Sequence, residues 1–117
     1  MKKITIPVGA YKAEVYIWIC TPEEATKEYK KTIFYSAGYT SEFHKNGAKT
    51  LSIDGFDPII WIDSNLKGHF RTSGMVHEFF HVIIHLMDSR NCKIDVDNNE
   101  PYAYLMEYLM KQYLFSA

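Results

Sequence analysis

Residues 75–87 place four ionisable side chains inside a run that is otherwise entirely apolar. These four are His77, Glu78, His81 and His85. At about 100° per residue on a helix, they share one arc of about 100°. A helix on a protein surface normally has a broader polar face, so the pattern predicts a buried helix whose single polar stripe lines a site. Buried ionisable groups are costly unless they are paired or coordinated, and a cation would provide that partner.

The length and composition predict one domain, spanning residues 1–117, with a core of ordinary size. The net charge of −1 gives no basis for nucleic acid or an anionic membrane as a partner. The first residues lack the apolar core of a signal peptide, and no apolar run reaches the roughly 18 residues that cross a bilayer, which favours a cytoplasmic protein. Cys20 and Cys92 lie far apart without a CxxC pattern, and we expect both to be free thiols.

The first 35 residues predict two strands and a helix. Alternation of apolar and polar residues on both sides of Gly9 predicts a hairpin within residues 1–20. Thr21, with Pro22 at the first helical position and Glu24 three residues after the cap, forms a capping box and predicts that a helix begins there. The apolar stripe of this helix is expected at three positions one turn apart: Ala25, Tyr29 and Ile33.

The remaining segments predict two strands and two helices. Residues 36–49 favour a loop or a weak hairpin, with a turn signal at Asn46 and Gly47. Residues 50–53 and 58–63 predict strands, the second apolar enough to be central. Residues 64–73 lead into the histidine helix, which we expect to end near Asn91. A last helix carries Pro101 in its first turn and continues to the end of the chain. The order predicts an α+β fold in which a small, mainly antiparallel sheet packs on the two C-terminal helices.

The sequence HEFFH at residues 77–81 matches the pattern H-E-x-x-H. Histidines at i and i+4 stand about 6 Å apart on one helix face, so His77 and His81 can bind one tetrahedral zinc ion. Glu78 then faces the open position of the metal, where it can take a proton from water. Glu100, in the first turn of the following helix, would complete a two-histidine, one-glutamate site. The strand at 58–63 could hold an extended peptide at the sheet edge.

The HEFFH pattern, followed 19 residues after its second histidine by the glutamate of NEPYAY, resembles the gluzincin metallopeptidases, the thermolysin-like clan. The short chain is similar to minimal single-domain gluzincins, to small HExxH proteins of phages and mobile elements, and to bacterial metallopeptidases that cleave phage-type repressors. The resemblance implies a zincin-like domain that hydrolyses a peptide or protein substrate. It also implies that His77, His81 and Glu100 bind Zn²⁺ and that Glu78 is the general base. Tyr104 departs from the family, which often has an aspartate at that position.

Several roles stay open at this point. His85 is about 12 Å along the helix from His77, too far to share a metal ion with it, and is expected either to support the site from beside it or to be a hydrogen-bonded core residue. The oxyanion of the reaction needs an electrophile, for which the candidates are Tyr102, Tyr104 and His69. Rival ligands are Asp95, Asp97 and Glu107, and a carboxylate that orients a histidine could be Asp88, Asp95 or Asp97. The alternative function is a catalytically inactive, metal-stabilised binding module of the kind that phages encode, which docks a host protein. A third is a metal-free helical pair that responds to pH.

Overall fold

The computed structural model describes residues 1–92, 95, 97 and 99–116, in which one four-stranded sheet is covered by helices on both faces. The strands are β1 (Lys2–Val8), β2 (Ala13–Cys20), β3 (Ala48–Leu51) and β4 (Ile59–Asp63). The helices are α1 (Pro22–Tyr29), α2 (Ile33–Ser36), α3 (Gly68–Asp88) and α4 (Glu100–Ser116), with a 3-10 turn at Gly9–Tyr11. The predicted α+β class and the order of the long elements are confirmed.

The sheet has the order β1-β2-β4-β3 and is mixed. The outer pairs, β1 with β2 and β3 with β4, are antiparallel, whereas the central strands β2 and β4 are parallel. The prediction of a mainly antiparallel sheet therefore missed the central pairing. A parallel pair needs a long connection, and here α1, α2 and β3 lie between its two strands. β3 becomes an edge strand as a result.

Two apolar cores stabilise the sheet, one on each face. On one face, alternate residues of β1, β2 and β4 pack against α3 and α4 around Ile17, Phe79 and Leu109, all fully buried. On the other, Trp18 and Trp61 pack with residues of α1 and α2. All five residues of β4 are buried, because this strand is covered from both sides, as its apolar sequence predicted. Each fully buried large side chain contributes about 1.5–3 kcal/mol, so the core positions β4 firmly.

The capping box at the start of α1 is confirmed. The Thr21 hydroxyl accepts a hydrogen bond from the Glu24 amide at 3.2 Å, and the Glu24 carboxylate accepts one from the Thr21 amide at 3.0 Å. The predicted apolar stripe is correct for Ala25 and Tyr29, which are buried, and wrong for Ile33, which is exposed. The helix ends at Tyr29, and Thr32 then caps the separate helix α2, whose buried residue is Phe34.

β3 begins two residues earlier than predicted and follows a loop rather than a hairpin partner. Asn46 adopts the left-handed conformation at the predicted turn, with φ +60°. The buried carboxylate of Asp63, at the end of β4, accepts hydrogen bonds from the amides of Asn46 at 2.7 Å and Asn65 at 3.0 Å. Asp63 therefore joins the loop before β3 to the end of the central strand.

α3 is longer at its start than predicted and ends earlier, at Asp88 instead of near Asn91. The expectation of a buried helix, exposed only along one polar stripe that lines a site, is wrong. Met75, Glu78, Phe79 and the equivalent positions of later turns face the sheet, whereas an apolar row on the opposite side is exposed to solvent. This row consists of Val76, Phe80 and Ile84. Within the described residues, the helices are too short or too polar to cross a membrane.

Candidate functional site

The predicted histidine site lies in an open cavity of about 520 Å³ between α3 and the edge strand β3. The helix contributes the polar stripe identified in the sequence, and the strand contributes hydroxyl and amino groups on the opposite wall. The lining residues used below are His77, Glu78, His81, His85, Asp88, Lys49, Thr50 and Ser52. Helix α3 with its imidazole side chains therefore forms one wall of the cavity, and strand β3 forms the other.

His77 and His81 direct ring nitrogens to the same point. Their Nε2 atoms are 3.1 Å apart, and the ring planes are inclined at 75°. Two nitrogens bound to one tetrahedral zinc ion at about 2.0–2.1 Å stand about 3.3–3.4 Å apart. The observed separation thus fits a shared ion with little adjustment. It also fits a hydrogen bond between two neutral rings, one donating and one accepting.

Glu78 is held at the wall of the cavity by a threonine of the facing strand. Its residue exposure is 6%, and the Thr50 hydroxyl lies 2.8 Å from Oε1, to which it donates, and 3.2 Å from the Glu78 carbonyl oxygen. The other carboxylate oxygen, Oε2, is 3.8 Å from His77 Nε2. The carboxylate is therefore fixed beside the histidine pair, with one oxygen bound by Thr50 and the other turned toward the imidazole.

His85 lines the same cavity one helical turn beyond His81. Its Nε2 atom is 3.4 Å from the carbonyl oxygen of Phe56, within hydrogen-bond distance of the loop between β3 and β4. Asp88 lines the cavity a further turn along. Of the two roles expected for His85, a place in the core is not the one observed, since it lines the cavity; a role in supporting the site stays a prediction.

Glu100 is placed away from the histidine pair. It is exposed and begins α4, which packs on α3 and on β1, the sheet edge opposite β3. The next residue, Pro101, lines a separate cavity with Tyr11 of the 3-10 turn. Among the described residues, no three His, Cys, Asp or Glu side chains are grouped closely enough to hold a metal ion. The assignment of Glu100 as third ligand therefore stays a prediction from the sequence.

The rival carboxylates take part in local contacts. Glu107 pairs with Lys111 at 2.8 Å, as the i,i+4 spacing predicted, and this hydrogen bond lowers the pKa of Glu107. Asp95 accepts a hydrogen bond from the Asp97 amide at 2.9 Å. Of the carboxylates considered as supports for a histidine, Asp88 is the one that lines the cavity.

The three candidates for stabilising an oxyanion lie outside the cavity lining. The Tyr102 hydroxyl donates to the Cys92 carbonyl oxygen at 3.0 Å, and burial raises its pKa. Tyr104 is exposed and lines the cavity beside Tyr11, whereas His69 lies against Phe70 with ring centroids 4.2 Å apart. Their assigned role therefore has no supporting contact in this arrangement.

The edge strand of the site is β3, not the strand expected from the sequence. The segment predicted to receive a peptide became β4, which pairs with β2 on one side and β3 on the other, so it cannot add another strand. β3 pairs only with β4 in the described part of the chain, and its residues Ala48, Lys49 and Thr50 line the cavity. The same wall therefore carries an open backbone edge and the hydroxyl bound to Glu78.

Thr50 was not identified from the sequence. It precedes Glu78 by 28 positions, and no fixed spacing links a strand residue to a helix residue at that separation. The available signal was the strand itself, since alternation along β3 places residues 48 and 50 on one face.

No protein-family model, no curated protein and no solved structure matches the chain.

Proposed function

We propose that the protein is a zinc-dependent metallopeptidase in which His77 and His81 bind the metal ion and Glu78 is the general base. The observation that supports the proposal most strongly is the 3.1 Å separation of the two Nε2 atoms above a cavity that also contains a fixed carboxylate. The free thiols Cys20 and Cys92 are consistent with action in the reducing cytoplasm.

The chemistry proposed for this chain is a proton transfer through Glu78. When bound, zinc supplies a Lewis acid that lowers the pKa of water toward 7 and polarises a carbonyl group. The Glu78 carboxylate accepts a proton from the attacking water as its oxygen bonds to the carbonyl carbon. It then delivers that proton to the amide nitrogen as the C–N bond breaks. The products are a carboxylic acid and an amine, and Glu78 returns to its ionised form.

The strand wall gives the substrate a place to bind. An extended peptide can add to an exposed sheet edge through main-chain hydrogen bonds, and β3 offers such an edge beside the histidines. The cavity is open to solvent, so we expect pairing of the peptide backbone with β3 to contribute more to binding than enclosure of a side chain.

The decisive experiment is substitution of Glu78 by Gln, which keeps both histidines. We expect the zinc content of Glu78→Gln to equal that of the wild type, while cleavage of a denatured-protein or peptide-library substrate, read by mass spectrometry, is lost. Removal of zinc by a chelator should abolish wild-type cleavage and its return should restore it. Glu107→Gln, on an exposed face of α4, is the matched control and should cleave normally. Wild-type protein that fails to bind zinc, or cleavage that survives Glu78→Gln, would overturn the proposal.

The third ligand is tested by zinc titration of purified variants. His77→Ala and His81→Ala should each abolish tight binding. If the sequence-based assignment of Glu100 is correct, Glu100→Gln weakens zinc binding by more than the roughly 10–100-fold that loss of a supporting partner costs, and Glu107→Gln does not. Equal affinities of these two glutamine variants would remove Glu100 from the site.

A second candidate, a metal-stabilised binding module that docks a host protein, is favoured by the exposed apolar row on α3. Val76, Phe80 and Ile84 are spaced one turn apart and turned to solvent beside the histidines. Such a row is typical of a helix that packs on a partner. Glu78→Gln separates the two functions, because a binder keeps its biological activity after this change. Phe80→Asp gives the converse result, since it should abolish docking and leave cleavage of short peptides intact.

A further inference from the structure

Two further cavities adjoin the histidine cavity along α3, and we refer to the three together as the groove. A cavity of about 470 Å³ at the start of the helix shares Ala48, His77 and Glu78 with it, and another of about 460 Å³ at the end of the helix shares His85. Each of the two therefore adjoins the histidine cavity through shared lining residues. From Phe70 to Asp88, where α3 ends, the groove follows eighteen helical positions, or about 27 Å at 1.5 Å per residue, and Arg90 lies two residues further on, about 30 Å from Phe70. An extended chain of about nine residues spans that distance.

The two ends of the groove differ in chemistry. At the start of α3 the walls include Leu66 and the exposed ring of Phe70. At the far end they include Lys12 and Arg90, and among the described residues Asp57 is the one carboxylate that lines this cavity. An extended ligand would therefore meet apolar surface at one end and a net positive charge at the other.

The guanidinium of Arg90 is held in place by an aromatic ring and two hydrogen-bond acceptors rather than by a carboxylate. It lies over the Tyr11 ring at 5.3 Å from the centroid, and Nη1 donates to the Ser89 hydroxyl at 2.6 Å and the Leu86 carbonyl oxygen at 3.3 Å. Within the described residues, neither Arg90 nor Lys12 forms an ion pair with a carboxylate. Arginine presents a rigid fork of donors suited to carboxylates, so a fixed and unpaired guanidinium at the end of a groove is prepared for a carboxylate of the ligand.

We propose that Lys12 and Arg90 form a subsite for a carboxylate of an extended peptide. The preferred substrate would then carry an acidic group about five residues from the peptide bond that is cleaved at the histidine pair. As a statement about substrate specificity, this inference rests on the proposed peptidase function. Arg90 lies eleven residues after the centre of the histidine pair, nine of them to the end of α3 and two beyond it. At the helical rise this is about 16 Å, which is about five residues of an extended chain at about 3.3 Å each. The carboxylate can belong to a glutamate or aspartate side chain or to the C-terminus of the peptide.

The test measures peptide binding apart from cleavage. The protein is zinc-supplemented Glu78→Gln, and the probes are fluorescein-labelled peptides of about ten residues built from alanine, serine and leucine. They carry two glutamates, two glutamines or two lysines near one end, placed N-terminally in one set and C-terminally in the other. Each is made with a free and an amidated C-terminus, so that side-chain and terminal carboxylates are distinguished. Fluorescence anisotropy gives the dissociation constants.

We expect the peptides with glutamates at one end to bind three- to tenfold more tightly than the matching glutamine peptides, or the free-acid peptides to bind that much more tightly than the amidated ones. The effect is modest because each exposed ion pair contributes little, and the subsite forms two of them, through Lys12 and Arg90. The preference should shrink as salt rises. Lys12→Gln and Arg90→Gln should each reduce it and the double variant should remove it. Lys31→Gln, an exposed lysine beside α2, is the matched control and should leave it unchanged.

The outcomes separate this inference from the proposed function. Equal binding of acidic and neutral peptides, or no peptide binding, would overturn the carboxylate subsite even if the wild type binds zinc and cleaves peptides. A preference that survives the double variant would overturn it too. Conversely, an acidic preference lost in the double variant supports the subsite even if the wild type never cleaves, in which case the peptidase proposal alone fails.

Discussion

The hydrogen bond between Thr50 and Glu78 gives a quantitative prediction about the site. Thr50→Val removes the hydroxyl and keeps the branched shape that suits a strand. Glu78 is only 6% exposed, so its carboxylate loses the 2.8 Å bond without full access to water in exchange. Hydrogen bonds to charged groups contribute about 1.5–3 kcal/mol, and we expect the free energy of unfolding to fall by that amount. For a domain of this size the midpoint of thermal unfolding should fall by about 6–15 °C.

Urea denaturation of metal-free protein at neutral pH, followed by circular dichroism, measures this change. Thr50→Ser keeps the hydroxyl and should restore most of the loss. Thr5→Val, at an exposed position of β1, is the matched control and should change stability by no more than about 0.5 kcal/mol. If Thr50→Val behaves like Thr5→Val, or if Thr50→Ser is as unstable as Thr50→Val, the hydroxyl does not hold the carboxylate and the account of the site is wrong.

Three further predictions concern the fold. Phe79→Ala should lower the free energy of unfolding by about 3–5 kcal/mol because the ring is fully buried, whereas Phe80→Ala, at 51% exposure, should change it by about 0.5 kcal/mol or less; urea denaturation compares the two. Burial raises the pKa of the Cys20 thiol to about 11, so a thiol reagent at pH 8 should label Cys92 in the native protein and both cysteines only after unfolding. A hydrogen bond from Lys3 lowers the pKa of Glu28 below its ordinary value of 4.5. The ionised Glu28 therefore stabilises the fold fully above pH 4.5, and this contribution is lost as the pH falls through the lowered pKa of the folded protein. Glu28→Gln lacks the contribution, so its free energy of unfolding should fall less steeply than that of the wild type as the pH drops below 4.5.

The sequence predicted the elements whose signals are local. The capping box at Thr21 and the buried strand at 59–63 depend on residues within one element, and both are confirmed. The stop at Tyr29 was missed because Thr32 offers a second cap, so the apolar stripe ends before Ile33. The parallel pairing of β2 with β4 is a property of the whole chain, since strand order depends on how the connections cross the sheet. Alternation within a strand indicates which of its residues face the core, but not which other strands pair with it.

The candidate site shows the same difference between features set within one element, which the sequence predicts, and features set by the packing of two elements, which it does not. The pairing of His77 with His81 follows from the pitch of one helix and could be expected from spacing alone. Thr50 comes from a different element, as would any third ligand, and the approach of two elements depends on packing across the whole sheet. The sequence therefore predicted the half of the site that lies on α3 and missed the half that lies on β3. It also assigned the peptide edge to the strand that the sheet encloses on both sides.

The reason for expecting a metal ion changes once the structure is known. From the sequence, the histidines needed a partner because the helix was expected to be buried. The His77 side chain is 69% exposed, so water can satisfy it and burial no longer demands a cation. Glu78, in contrast, is buried, and its hydrogen bond to Thr50 satisfies only one of its two carboxylate oxygens. The case for metal therefore rests on two geometric facts: Nε2 atoms 3.1 Å apart, and a carboxylate whose second oxygen faces them. A surface pair of histidines kept apart by solvent would have neither feature, which is why zinc titration of His77→Ala and His81→Ala tests the proposal more directly than any measurement of burial.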